Sequence, residues 1–201
     1  MENFKIIVIT DPDSVNGEAE KITRLLEAGV DFVHIRKPAW TLQEVKALVE
    51  DIPYPLRRRL KLHGHFALLH ELTLGGVHLN SRCPEAPAAA KSVSKSCHSL
   101  AEVEEAMAKR AADDAAELDY ATLSPIFDSI SKEGYKARFD LDSVAPQLRG
   151  KRVVALGGVT PEAFDLLREK GFCGAALLGY IWRGDFDSAL EKIKQYVAVH
   201  H

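Results

Sequence analysis

The chain has 201 residues, 46% hydrophobic and 27% charged, with a formal net charge of −3. That is the size of one domain or one compact barrel, large enough to bury a core without disulfides or a structural metal. The slightly acidic balance argues against a nucleic-acid binder working through a basic field, and no apolar run reaches the roughly 18 residues of a membrane span. Cys83, Cys97 and Cys173 are odd in number, far apart and in no CxxC spacing. Together with an N-terminal run, MENFKIIVITDPD, that lacks the basic-then-apolar pattern of a secretory leader, they predict a cytoplasmic protein.

Short apolar runs alternate with amphipathic ones along the chain. Lys5–Ile9 predicts a strand, followed by a helix from Gly17 to Ala28 that is periodic in Ile22, Leu25 and Leu26 and stopped by Gly29. Phe32–Arg36 predicts the second strand, and Thr41 with Glu44 has capping-box spacing for the next helix. Leu60–His63 is the third strand, followed by a helical Phe66–Leu72. Gly76–Leu79 is the fourth, followed by Cys83–Ala90, which reads as a short turn of helix at most. Ser92–Cys97 is the fifth, with Ser99 and Glu102 spaced to open a helix after it. Tyr120–Leu123 precedes the longest loop, Ser124–Gly134. Val153–Leu156 leads to Thr160 as N-cap, Pro161 in the first turn and Gly171 as the stop. Ala175–Leu178 is the eighth strand, and Leu190, Ile193 and Val197 form one stripe of a final helix over Asp187–Val197. Most strands are nearly continuously apolar, as parallel strands buried on both faces are. The alternation predicts an α/β fold, a single-domain (β/α)8 TIM barrel over residues 1–201, with a doubly wound open sheet as the alternative.

A barrel places its chemistry at the C-terminal strand ends. Gly157 and Gly158 stand between a strand and a helix start, and Gly179 ends the next strand. Such loops let backbone amides approach an anion, which predicts phosphate binding there. Alternation puts His34 and Arg36 on one side of their strand, so an inward-facing pair reaches the cavity, where a guanidinium needs an anion. Internal partners for Arg36 are Asp11 or Asp128. Ser129, Ser131 and Lys132, in the long loop, offer hydroxyls and a point charge to an anion. His63 and His65 share one side of a strand end but show no third ligand, so no metal site is expected. Arg57-Arg58-Arg59 reads as a solvated patch, and Cys97 as core rather than nucleophile.

The motifs Val8-Ile9-Thr10-Asp11, DFVHIRK, GGVHL, SKSCHSLAEVEEA, DYATLSPIF, VVALGGVTPE and GFCGAALLG, in this order and spacing, resemble the thiamin phosphate synthase/TenI superfamily. The resemblance covers nearly the whole chain and implies a (β/α)8 barrel. Synthases of that family join hydroxymethylpyrimidine diphosphate to thiazole phosphate; TenI-type members tautomerise a thiazole carboxylate phosphate or lack synthase activity. Carried over by position, Ser129, Ile130 and Ser131 match the segment contacting thiazole phosphate. Gly157, Gly158, Leu178 and Gly179 match the backbone that holds its phosphate. Lys132 and Ser96 match residues facing the diphosphate, and Arg36 the strand-two arginine.

The diphosphate half departs from the synthase pattern. His34 replaces a glutamine, Pro38 a lysine (with Lys37 adjacent), His63-Gly64 an Asn-Asp pair, and Cys83 lies where an aspartate is expected. These losses remove hard oxygen ligands for magnesium. The TenI-type catalytic histidine is Pro125 here, as in synthases. The resemblance therefore implies a thiazole-phosphate binder closer to TenI, with His34, His98 and Lys132 as catalytic candidates. The alternatives are a synthase using magnesium through Asp11, Asp128 and the substrate, and an inactive ligand-binding protein. No cofactor is expected unless it is a synthase. The expected partner is a phosphorylated thiazole, not nucleic acid or membrane, and a homo-oligomer is left open.

Overall fold

The structure, a computed structural model, describes residues 4–112, 118–128 and 136–200. Among them eight parallel strands close into a barrel in chain order: β1 Lys5–Ile9, β2 Phe32–Ile35, β3 Leu60–Leu62, β4 Gly76–Leu79, β5 Val93–Cys97, β6 Leu118–Leu123, β7 Val153–Leu156 and β8 Gly174–Leu177. Closure is made by β1 against β8, with Ile6 beside Ala175 and Val8 beside Leu177. The open-sheet alternative is thereby excluded.

Helices cover the outside. They are α1 Glu18–Glu27, α2 Leu42–Glu50, α3 Tyr54–Arg57, α4 Leu100–Ala112, α5 Leu141–Val144, α6 Phe164–Glu169, α7 Gly179–Trp182 and α8 Phe186–His200. No helix among the described residues is long and apolar enough to cross a membrane. Helix α1 buries Ile22, Leu25 and Leu26, each contributing about 1.5–3 kcal/mol by leaving water. It ends at Gly29, where φ is +102° and a Cβ would stand 2.8 Å from Val197 Cγ1 of α8. A side chain there would separate the first and last helices. Helix α2 carries the expected capping box between Thr41 and Glu44.

Four local expectations need correction. Residues Phe66–His70 form a 3-10 helix, and Cys83–Ala90 forms no helix. Asn80 Oδ1 accepts from the backbone N–H groups of Arg82 and Cys83, and Asn80 and Cys83 form a backbone bridge, so that segment is a side-chain-stapled turn. The Thr160 side chain accepts no backbone cap bond, because residues Pro161–Ala163 wind as a 3-10 turn before α6 begins. The triple arginine is not simply solvated. Arg57 donates to the Ile52 and Glu50 carbonyls and Arg59 to those of Val30 and Asp31, satisfying groups that the ends of helices and loops leave open.

The barrel interior is divided in two. Ile7, Ile9, Val154 and Ala176 form an apolar cluster with Tyr120, bordered by Leu156 and Leu178. The arc from β2 to β6 instead turns His34, Lys61, His78, Ser94 and Thr122 inward, all fully buried. Lys61 closes the floor, its ammonium 2.6 Å from Asp119 Oδ2 and lying over the Phe32 and Tyr120 rings.

Candidate active site at the barrel mouth

The polar arc is a connected network. His34 Nδ1 lies 2.9 Å from His63 Nε2, one of the two nitrogens carrying the shared proton. His34 Nε2 lies 2.7 Å from the Tyr120 hydroxyl. His78 is held at both ring nitrogens by Ser94 Oγ and Ser96 Oγ, each at 2.8 Å. The rings of His63 and His78 stack with centroids 4.3 Å apart, and those of His34 and His78 are 4.8 Å apart. Thr122 Oγ1, on the same arc, is buried without a hydrogen-bond partner.

Burial disfavours charge on these rings. It holds His34 and His78 well below the usual histidine value, with His63 and Lys61 adding repulsion at both and His78 at His34. His63 is lowered to about 3, first by desolvation and then by the neighbouring Arg36. All three are neutral imidazoles at physiological pH. Burial likewise raises the Tyr120 phenol well above its usual value, with Ser94 opposing. Cys97, fully buried, is pushed up to about 11, which makes it core as expected.

Arg36 is half-buried beyond the end of β2, and its guanidinium makes no salt bridge to a described residue. Desolvation and Arg82 lower its pKa, Asp11 opposing. Its expected internal partners are engaged elsewhere: Asp11 pairs with Arg183 at 3.0 Å, and exposed Asp128 binds Lys136 and the Ala137 N–H. Arg36 is held instead by its backbone, through Thr10 Oγ1. Lys37, the neighbour of Pro38 and the candidate to stand in for the family's substrate-binding lysine, turns the other way. Its buried ammonium is 2.7 Å from Glu18 Oε2 and 2.6 Å from the Asp13 carbonyl, over the Trp40 ring. The next residue after an inward one faces the helix layer, and there Glu18 supplies the counter-charge.

Ser96 lies on the inner wall against His78, and exposed His98 is hydrogen-bonded at the mouth to Ser124. Gly157 and Gly158 have φ of +97° and +64°. A Cβ on Gly157 would lie 2.8 Å from Pro125 Cα, and one on Gly158 would strike the Asp128 carbonyl and Phe127. The double glycine therefore seats the loop after β6, which explains the residue type whether or not an anion binds. Leu178 precedes α7, which Gly179 opens. Ser129, Ile130, Ser131 and Lys132 lie outside the described residues. His65 turns away from His63, its Nε2 2.8 Å from the Trp40 carbonyl.

Two further positions meet across the mouth. A Cβ on Gly64 would stand 3.9 Å from Cys83 Sγ. These are the places where the sequence comparison expects magnesium-binding carboxylates. With glycine and a thiol there, and Asp11 committed to Arg183, the residues present do not fit magnesium, which takes oxygen ligands.

Sequence reasoning missed His78, Tyr120 and the connection to His63. The alternation of β4, with His78 between Val77 and Leu79, was the available signal.

Eight parallel strands closed in chain order, with helices outside and an imidazole–hydroxyl network inside, define an α/β barrel of the (β/α)8 class. The chain belongs to the thiamine monophosphate synthase family, whose sequence profile matches residues 6–181. Thiamine phosphate pyrophosphorylase of Bacteroides thetaiotaomicron is 30% identical, with a TM-score of 0.79 over 98% of this chain and 100% of that one. Thiamine phosphate pyrophosphorylase of Pyrococcus furiosus is 19% identical, with a TM-score of 0.77 over 98% and 97%. Phosphoribosyl anthranilate isomerase of Thermus thermophilus, at 15% identity, shares the fold with a TM-score of 0.63 over 98% and 100%. No curated protein sequence matches the chain significantly.

Proposed function

We propose that this protein binds a phosphorylated thiazole at the barrel mouth and acts on it by proton transfer, as a TenI-type tautomerase, without joining it to a pyrimidine diphosphate. The observation that carries this reading is the pairing of Gly64 with Cys83. A synthase must stabilise the charge that develops on a departing diphosphate, and losing one well-placed electrostatic contact costs about 10²–10³ in rate. Here two facing positions offer no carboxylate.

Arg36 supports the anion-binding half, being desolvated at the mouth without a salt bridge to a described residue. For proton transfer the imidazoles at the mouth are His98 and His63. His34, one of the two histidines expected to act, stands behind His63 and serves to orient it, being held in turn by the Tyr120 hydroxyl.

The test is a coupled diphosphate assay with both synthase substrates and magnesium, run beside a tautomerisation assay on the thiazole carboxylate phosphate alone. Conversion of the thiazole without diphosphate release is expected. Diphosphate turnover of about 0.1 s⁻¹ or faster, within roughly a hundredfold of a median enzyme, overturns the reading in favour of a synthase. Thiazole binding without either conversion makes the protein a ligand binder.

A further inference from the structure

We propose that His34, His63 and His78 form a transition-metal site inside the barrel, holding one zinc-like divalent ion on three imidazole nitrogens. One ring nitrogen from each histidine lies within 4.8 Å of one from each of the others. The three come from consecutive strands: His34 from β2, His78 from β4, and His63 from the residue that follows β3. Their backbones are fixed by the barrel ladder. Zinc–imidazole bonds of about 2.0–2.1 Å place tetrahedral ligand nitrogens about 3.4 Å apart. His34 and His63 are already nearer than that, at 2.9 Å. To close the remainder, His78 Nε2 exchanges its hydrogen bond to Ser96 Oγ for the ion.

The surroundings supply what such ligands need. A metal-binding histidine generally presents its second nitrogen to a hydrogen-bonding group that fixes ring and tautomer. Tyr120 does this at His34 Nε2 and Ser94 at His78 Nδ1. His34 and His78 are fully buried while His63 is half-buried, so an ion enters, and keeps its open fourth position, on the His63 side. An all-imidazole set selects zinc, cobalt, nickel or copper and rejects magnesium. The cations facing the cluster are Lys61 and Arg36. Three neutral ligands leave the full metal charge, so the fourth ligand is an anion, either hydroxide or a substrate oxyanion.

This inference does not depend on the thiazole reading: with the ion on His34 and His63, His98 is the imidazole left for proton transfer at the mouth, and the test uses no substrate. Protein stripped with a chelator is titrated with Co²⁺, followed by visible absorption, and Zn²⁺ is then added in competition. One Co²⁺ per chain is expected, with the intense spectrum of a four-coordinate ion and a Kd of about 10 μM or lower; Zn²⁺ displaces it and excess Mg²⁺ does not. His34→Gln and His78→Gln should each weaken binding at least about a hundredfold, or about 2.7 kcal/mol. Tyr120→Phe, which keeps every ligand, should weaken it roughly tenfold. His70→Ala, on the exposed 3-10 turn, should bind as the parent does. A parent protein with no saturable cobalt spectrum overturns the proposal. So does a spectrum that survives both glutamine substitutions, which would place the ion elsewhere.

Discussion

The side chain that Gly64 lacks would point at Cys83: a Cβ built there stands 3.9 Å from the cysteine sulfur. Gly64→Asp combined with Cys83→Asp therefore creates two facing carboxylates at the mouth, beside a half-buried Arg36. Calorimetry should show magnesium binding to the double variant with a Kd below about 1 mM, roughly 4 kcal/mol, and none to the parent at the same concentration. Equal magnesium heats from both proteins would show that the ion is held elsewhere. Adding His34→Gln should raise diphosphate release above that of the parent, measured in the same coupled assay.

The buried imidazoles set an acid limit on stability. Desolvation lowers His34 and His78 well below the ordinary 6.5, and His63 to about 3. Unfolded, the same rings take up protons from about pH 6.5 downward, while the folded ones stay neutral. Stability is thus complete above 6.5 and falls as pH drops from there toward the folded values, by about 1.4 kcal/mol per pH unit for each histidine. Urea denaturation between pH 7 and pH 5 should show this slope. His34→Gln should reduce it by about one histidine's share, and an unchanged slope would mean that His34 is protonated in the folded protein.

Gly158 couples the loop after β7 to the loop after β6. Its φ of +64° and the crowding from Phe127 and Asp128 both exclude a side chain. Gly158→Ala should lose at least about 1–2 kcal/mol of stability from the backbone conformation alone, read from the urea midpoint. Inorganic phosphate or thiazole phosphate affinity should fall about tenfold or more in the part that remains folded, about 1.4 kcal/mol. A variant with parental stability would show that the two loops do not rest on one another.

Lys37 tests whether a buried charge belongs to the site or to the scaffold. Its ammonium and the Glu18 carboxylate are 2.7 Å apart, and the second Glu18 oxygen is buried without a partner. Lys37→Met leaves that carboxylate uncompensated and should cost about 3–5 kcal/mol. Adding Glu18→Gln should recover most of the loss. Reduced substrate affinity at parental stability would instead return Lys37 to the mouth.

The barrel was legible in the chain because parallel strands buried on both faces are short apolar runs, and turn residues separate them. Gly76–Leu79 and Val153–Leu156 are the strands as read, and Phe32–Arg36 overshoots by one residue because the β2 ladder ends at Ile35. Alternation also placed His34 inward without knowledge of its neighbours. What lies opposite an inward side chain was not legible. His34, His63 and His78 are separated by long stretches of helix and loop and share no local motif. Only the parallel pairing of β2 with β3 and of β3 with β4 brings them to within hydrogen-bond or stacking distance. The same holds for Lys37, whose chemistry looks identical to that of a substrate lysine until Glu18 of α1 is packed against it. Local sequence determines which way a side chain leaves its own strand, since that depends on a two-residue period. Which groups it meets, and whether it is left charged, neutral or free to bind, depends on burial and on partners from remote segments, and these exist only once the barrel has closed.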